Sequence, residues 1–355
     1  MVFIMVTSRF RTTLLRSQLL TMFAVVFAGC YGDSWHIDPD TVELGRKFEL
    51  RPFYDHVRDL PDSDSAAVEK LVNVYGEFWV DYSENILGFG AFDSPESVHN
   101  MRCYLNDTIT LNIREAIDTT SGSPEKLAEF SKDIEDGFKR LHALAPTEPI
   151  PDIILMTSGY NWGVYPRPRE NYVAVGLEHF IGHDHPILNT LPPRLFPEYR
   201  KLRMHPDLMT VNVFRGWVQV NFQDRIFGTK LIDEVLYMGK VLWLVDKCMP
   251  DLHKHLLMDW TPNELAWAEA NEENIWIELQ PADILFESNR TIYSRWLTEG
   301  PFTRAGAIPQ ESPDRLGVWM GYQIVDDYMN ANPETTVDEL FNTTKHTPFL
   351  KTYRP

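Results

Sequence analysis

Helical rhythm dominates the hydrophobic pattern of this chain. Val68, Leu71, Val72, Tyr75, Phe78, Trp79, Tyr82 and Ile86 recur at three- and four-residue spacing behind the 61–65 turn, PDSDS, which predicts one amphipathic helix. Ser123-Pro124-Glu125 opens a second, with proline at the first helical position and Leu127, Phe130, Ile134, Phe138 and Leu141 on one face. Leu231, Ile232, Val235, Leu236, Leu242 and Val245 make a third that ends near Pro250. Residues 317–329 are apolar on most sides and read as a buried helix whose Gly321 permits close packing. Thr261 with Glu264, and Thr336 with Glu339, have the spacing of capping boxes. Two short runs have no such period: IILM at 153–156 and YVAV at 172–175, joined by a Gly/Pro-rich connection, read as strands. The expectation is an α+β fold: a mostly helical single domain with a small central sheet.

The N-terminus follows a different pattern. Residues 1–18 carry Arg9, Arg11 and Arg16 and no acid, and residues 19–29 form an 11-residue apolar run that ends at Cys30. A basic segment followed by an apolar run of this length reads as a secretory signal, too short to span a bilayer, for which ~20 residues are needed. Phe27-Ala28-Gly29-Cys30 resembles the bacterial lipobox, with Phe27 where leucine is usual, so Cys30 is the candidate lipidation site. The expected division is a signal peptide at 1–29, a polar tether at 30–44 and a globular domain at 45–355.

Composition narrows the function classes. Lys+Arg 33 against Asp+Glu 51 gives a net charge of −18. Loss of residues 1–29 removes three arginines and no acid. Such a surface argues against a nucleic-acid partner and against a body lying flat on anionic lipid. Three cysteines are too few for a disulfide scaffold, and sequence leaves open whether Cys103 and Cys248 pair.

Chemistry-bearing residues are sparse. His179, His183 and His185 fall within seven residues and could supply metal nitrogens, but Gly182 and Pro186 interrupt the helix that would align them; a polar, histidine-rich loop is the other reading. Neither a nucleophile elbow nor a phosphate loop occurs, and no cofactor is expected. Arg194, Arg200, Lys201 and Arg203 form a local basic cluster that reads as a solvated face or an anion or partner contact.

An ordered series of segments carries a family resemblance. It runs GLEHFIG (176–182), LP (191–192), PEY (197–199), LIDEVLYMGKVLW (231–243), WTPNELAW (260–267), NEENIW (271–276), PFT (301–303), ESP (311–313), GVWMGYQIV (317–325), NPE (332–334) and KHTP (345–348). This series resembles the gliding-motility lipoprotein GldB family of Bacteroidota. The resemblance implies an outer-membrane lipoprotein, expected on the periplasmic face, that works in gliding with protein partners tied to the type IX secretion machinery. That family in turn resembles predicted zinc-dependent proteases with an HExxH helix, which implies a zincin-like fold. Here Asp233-Glu234-Val235-Leu236-Tyr237 stands where His-Glu-x-x-His would be, so Glu234 remains while both imidazoles are gone. Two functions follow as expectations: a non-catalytic component that holds a partner in the old cleft, or a metal-dependent hydrolase with an unconventional ligand set. Asp233, Glu234, Tyr237, Lys240, Trp319, Tyr322 and Gln323 are the candidate cleft or partner residues, with Glu234 bound by Lys240 or Arg225 if its role is structural.

Overall fold

The computed structural model describes residues 35–355; the signal segment and Cys30 lie outside the described residues. Four strands, β1 Leu50–Arg51, β2 Asp152–Met156, β3 Val164–Arg167 and β4 Tyr172–Gly176, form one sheet in the order β1-β2-β4-β3. β1, β2 and β4 run parallel and β3 is antiparallel to β4. β2 and β4 pair in register, Ile154 opposite Ala174, and apart from Asp152 at the start of β2 are buried and largely apolar because both faces of the sheet are covered. Ile153, Leu155, Val173 and Val175 point into the larger core, and Ile154, Met156, Tyr172 and Ala174 into a smaller one. The period of two along each strand divides the interior.

Helices of six or more α-helical residues supply the rest. In chain order they are α1 Asp64–Tyr75, α2 Pro95–Leu105, α3 Thr108–Thr119, α4 Pro124–Leu144, α5 Met209–Asn221, α6 Leu231–Cys248, α7 Pro262–Ala270, α8 Glu272–Leu279, α9 Leu316–Ala331, α10 Val337–Asn342 and α11 Thr347–Thr352. Both capping boxes form: Thr261 closes on Glu264 at the start of α7, and Thr336 on Glu339 at the start of α10. The mostly helical α+β domain expected from the pattern is the fold observed.

Two expectations change. The apolar period over 68–86 is not one helix. It breaks at Gly76, whose φ of +49° ends α1. A short helix, Glu77–Val80, and a π-helical stretch, Asp81–Ile86, follow, and together they wrap Phe78 and Tyr82 around Phe53. The polar tether is also shorter than its composition suggests. Trp35 meets Trp243 edge-on at 5.0 Å and Arg140 Nε donates to the Ile37 carbonyl at 3.2 Å, so the compact unit is Trp35–Pro355.

α6 and α9 cross at the centre with their backbones in contact. A Cβ at Gly321 would lie 2.0 Å from the Val235 carbonyl oxygen, and one at Gly239 2.1 Å from the Gly321 carbonyl oxygen. Cys103 and Cys248 are both free; Cys103 is exposed on α2, while burial pushes the Cys248 thiol up. Among the described residues no helix is long and apolar enough to cross a membrane.

Candidate functional site

α6 is buried on almost every side. Of its 18 residues only Glu234, Met238 and Lys247 keep partial exposure. Its start is fixed by Asp233, whose Oδ2 accepts the Lys230 N–H at 2.8 Å, and by the Leu231 N–H donating to the Glu287 carbonyl at 2.9 Å. The first turns therefore present two adjacent faces with different fates.

On one face stand Asp233, Tyr237 and Lys240, at helical spacing. The C-terminal segment closes over them. His346 Nε2 lies 2.6 Å from Asp233 Oδ1, and Lys240 Nζ donates to the Thr343 carbonyl at 2.9 Å while sitting 5.2 Å from the Phe349 ring centre. Tyr237 donates its hydroxyl to the Gln219 carbonyl. The space left here is about 20 Å³, room for roughly one water. Burial pushes Lys240 down to about 8 and raises Tyr237 above its ordinary value.

On the other face Glu234, Met238 and Leu242 open into a cavity of about 360 Å³ between α5, α6 and α9. Its walls are apolar at Leu257, Met258, Leu297 and Val318 and charged at Arg215, Arg290, Arg315 and Glu299. Glu234 accepts the Tyr293 hydroxyl at 2.6 Å and lies 3.3 Å from Arg290, whose side chain is three-quarters exposed. Arg215 and Arg315 are held from behind by Asp259 Oδ2 at 2.7 and 3.3 Å. Burial works to raise the Asp259 carboxyl, but the two guanidiniums outweigh it and hold it below the usual carboxylate range. The result is an apolar pocket with a rigid basic wall and one acid–base pair, Glu234 and Arg290, at its edge.

The sequence candidates are distributed accordingly. Glu234 lines the cavity, whereas Asp233, Tyr237 and Lys240 belong to the sealed face. Neither structural partner expected for Glu234 is its partner. Lys240 lies on the other face, and Arg225 is taken by Glu148 at 2.6 Å and Asp338 at 3.1 Å. Trp319 is 2% exposed in the core beneath the cavity, and the Tyr322 hydroxyl lies between Lys254 Nζ at 2.6 Å and Asp246 Oδ2 at 3.2 Å. Gln323 is half-buried on the same helix. His179, His183 and His185 are not gathered: among the described residues no group of three histidine, cysteine or acidic side chains could hold a metal. His183 pairs with Asp184 at 3.2 Å, and His185 Nδ1 accepts the Ile187 N–H at 3.3 Å. Burial lowers the pKa of the His179 imidazole. Arg290 and Tyr293, one turn apart on the helix Arg290–Tyr293, and Arg215, Arg315 and Asp259 were not legible as site residues, since only tertiary packing brings these separate segments to Glu234 and the cavity wall.

The donors at the first and fifth positions of the HExxH-like turn do not fit a zinc ion. Asp233 is engaged by His346, and the Tyr237 phenol, with its pKa raised, is already donating to a carbonyl. No curated protein and no solved structure matches the chain. A family model described as gliding motility protein GldB matches residues 34–355.

Proposed function

The chain belongs to the gliding motility protein GldB family, and from that premise we propose that it is a cell-envelope lipoprotein that binds rather than cleaves, holding a segment of a partner protein in the α6 cavity. In this reading the fold is a degenerate relative of the zinc peptidases. Acylated Cys30 anchors the body at the periplasmic face of the outer membrane, and the partner belongs to the gliding and type IX secretion machinery. The observation that carries the binding role is the division of α6. Asp233 and Tyr237, the two positions that would hold zinc, are buried and engaged by His346 and the Gln219 carbonyl, while Glu234 and Met238 face the cavity. Zinc hydrolysis depends on imidazole nitrogens that hold the ion and on a bound water brought from ~15.7 to ~7 in pKa. Glu234 as a base without such a water has nothing suitable to deprotonate. What the cavity offers is apolar wall for a side chain and a Glu234–Arg290 pair that a partner's own charged group can enter.

The test uses the mature lipoprotein purified without added metal. The expected outcome is substoichiometric zinc by mass spectrometry and no cleavage of an unfolded protein by wild type or Glu234→Gln. Met238→Arg, which fills the cavity, should abolish gliding without lowering the melting temperature. Stoichiometric zinc together with cleavage lost in Glu234→Gln would overturn this reading in favour of an envelope hydrolase.

A further inference from the structure

The basic wall of the α6 cavity is one end of a longer ionic chain. Its links run Arg200–Glu299 at 2.9 Å, Glu299–Arg203 at 3.0 Å, Arg203–Asp314 at 2.9 Å, Asp314–Arg315 at 3.1 Å, Arg315–Asp259 at 3.3 Å and Asp259–Arg215 at 2.7 Å. Cation and anion alternate, and the chain both starts and ends on arginine. From Arg203 to Arg215 it is almost wholly buried, with side-chain exposures of 0–16%. Two members carry backbone strain as well: Asp259 and Arg315 both stand at φ +53°, a left-handed conformation sparse for residues with a side chain. Burial works to raise the Asp314 carboxyl, and Arg315 and Arg203 outweigh it, so that it is held below the usual carboxylate range as Asp259 is. Both buried carboxylates therefore stay ionised at neutral pH, and the chain carries one more cation than anion. Of the basic cluster read at 194–203, Arg200 and Arg203 belong to this chain, and Arg194 and Lys201 do not.

Three members of the chain, Arg215, Arg315 and Glu299, line the cavity together with the Glu234–Arg290 pair. The lining thus holds three arginines and two glutamates, and the lining with its buried backing holds five arginines and four carboxylates. Both counts leave one positive charge over. The two glutamates of the lining are already engaged, Glu299 by Arg200 and Arg203, and Glu234 by Tyr293 and Arg290. Donors, by contrast, remain. The Arg215 guanidinium spends Nη1 on the Leu257 carbonyl and Nη2 on Asn212 and Asp259, and its Nε makes no hydrogen bond among the described residues. Arg290 is three-quarters exposed, with Glu234 as its one ion pair among the described residues. Surplus positive charge against apolar wall is costly to bury without a counter-charge. It is also out of keeping with a chain of 33 basic and 51 acidic residues.

We propose that the segment held in the α6 cavity bears a carboxylate, which binds at Arg215 and Arg290 while its apolar side chain packs on Met238, Leu242 and Val318. This rests on the reading of the cavity as a partner-binding site and names the chemistry of its occupant. The carboxylate supplies the anion that the alternating chain lacks at its cavity end. Guanidinium N–H groups match a carboxylate in pairs, and such charge-assisted bonds are roughly twice as strong as neutral ones. A cationic segment would add to the surplus, and a purely apolar one would bury it uncompensated. An acidic side chain and the C-terminus of a partner chain carry the same group, and either source satisfies the site.

The experiment uses the mature lipoprotein in detergent and dye-labelled apolar peptides that differ only at their ends: a free carboxylate, an amide, an amidated glutamate or an amidated lysine. Binding is read by fluorescence polarisation. The free-carboxylate peptide, the glutamate peptide or both should bind at least about tenfold more tightly than the amide and lysine peptides, and which of them does so identifies the source of the group. Arg290→Gln removes the surplus at an exposed side chain and should weaken that binding several-fold. Glu234→Gln doubles the surplus and should strengthen it. Both variants should keep the wild-type melting temperature. Preference for the lysine peptide, or weaker carboxylate binding in Glu234→Gln, would overturn the proposal in favour of a cationic occupant. Equal affinity for all the peptides, lost when Met238→Trp fills the cavity, would overturn it and leave the binding role standing. Binding by none of them, or binding that Met238→Trp leaves intact, would overturn the binding role and the proposal together.

Discussion

Lys240 is a buried ammonium without a carboxylate beside it. It is 5% exposed, donates to one backbone carbonyl and lies over one ring, and burial brings it to about 8 from 10.5. The folded protein therefore releases this proton at lower pH than the unfolded chain does. Between pH 8 and 10.5 the unfolded state binds more protons, so stability rises with pH across that window, by on the order of 3 kcal/mol. Below pH 8 both states are charged and the burial penalty is fully present. Urea unfolding at pH 7, 8.5 and 10 should show this rise in wild type and lose it in Lys240→Met, whose apolar side chain fits the same space. A wild-type curve that is flat above pH 8 would mean that the ammonium is better solvated than its surroundings indicate. Asp259 is the opposite case, a buried anion between two cations. Asp259→Asn leaves Arg215 without a carboxylate partner, while Arg315 keeps Asp314 at 3.1 Å, and should cost ~3–5 kcal/mol in denaturant unfolding, since removing one partner of a buried ion pair strands the other. A loss under ~1 kcal/mol would show that the cavity wall is wet.

At the scale of elements, the crossing of α6 and α9 sets the geometry of everything around it. Gly321→Ala would put a methyl 2.0 Å from the Val235 carbonyl oxygen, where only a shift of one helix relieves the clash. The cost should be ~3 kcal/mol, at the upper end for overpacking, with Gly45→Ala, which has open space, as a neutral control. Trp319→Ala removes a core ring on the same helix and should cost ~3–5 kcal/mol. An unchanged melting temperature with lost gliding would instead make Trp319 an interface residue. Gly321 was legible in the sequence because a glycine inside an apolar helical run, costly to the helix itself, marks a point where another backbone comes close. Its counterpart Gly239 was not, because nothing local says which helix will lie across it. The long helix expected over 68–86 fails differently: the apolar period passes through Gly76 without interruption, yet Gly76 ends the helix at positive φ, and the turn lets Phe78 and Tyr82 wrap around Phe53. Helix starts were legible because caps are local. The cavity was not, because Arg290, Tyr293 and Arg315 meet Glu234 and its neighbours only through tertiary packing.

For the whole molecule, the proposed envelope role raises the question of what would hold an acidic body at a membrane. No described helix is long and apolar enough to cross one. With 51 acidic residues the surface is repelled by anionic lipid as a whole. Arg194 and Lys201 add only ~1 kcal/mol each at such a surface, far short of stable attachment. In the proposed reading two acyl chains on Cys30 would supply what the body lacks, since dual acylation anchors where a single chain binds reversibly. Cys30→Ala should therefore either release the protein into the soluble periplasmic fraction or block its maturation, as read by immunoblot of fractionated cells. A chain held only by charged contacts would leave the membrane fraction in high salt, where such contacts are screened. A Cys30→Ala variant that stays with membranes in high salt would rule out lipid anchoring and electrostatic docking together as the source of attachment.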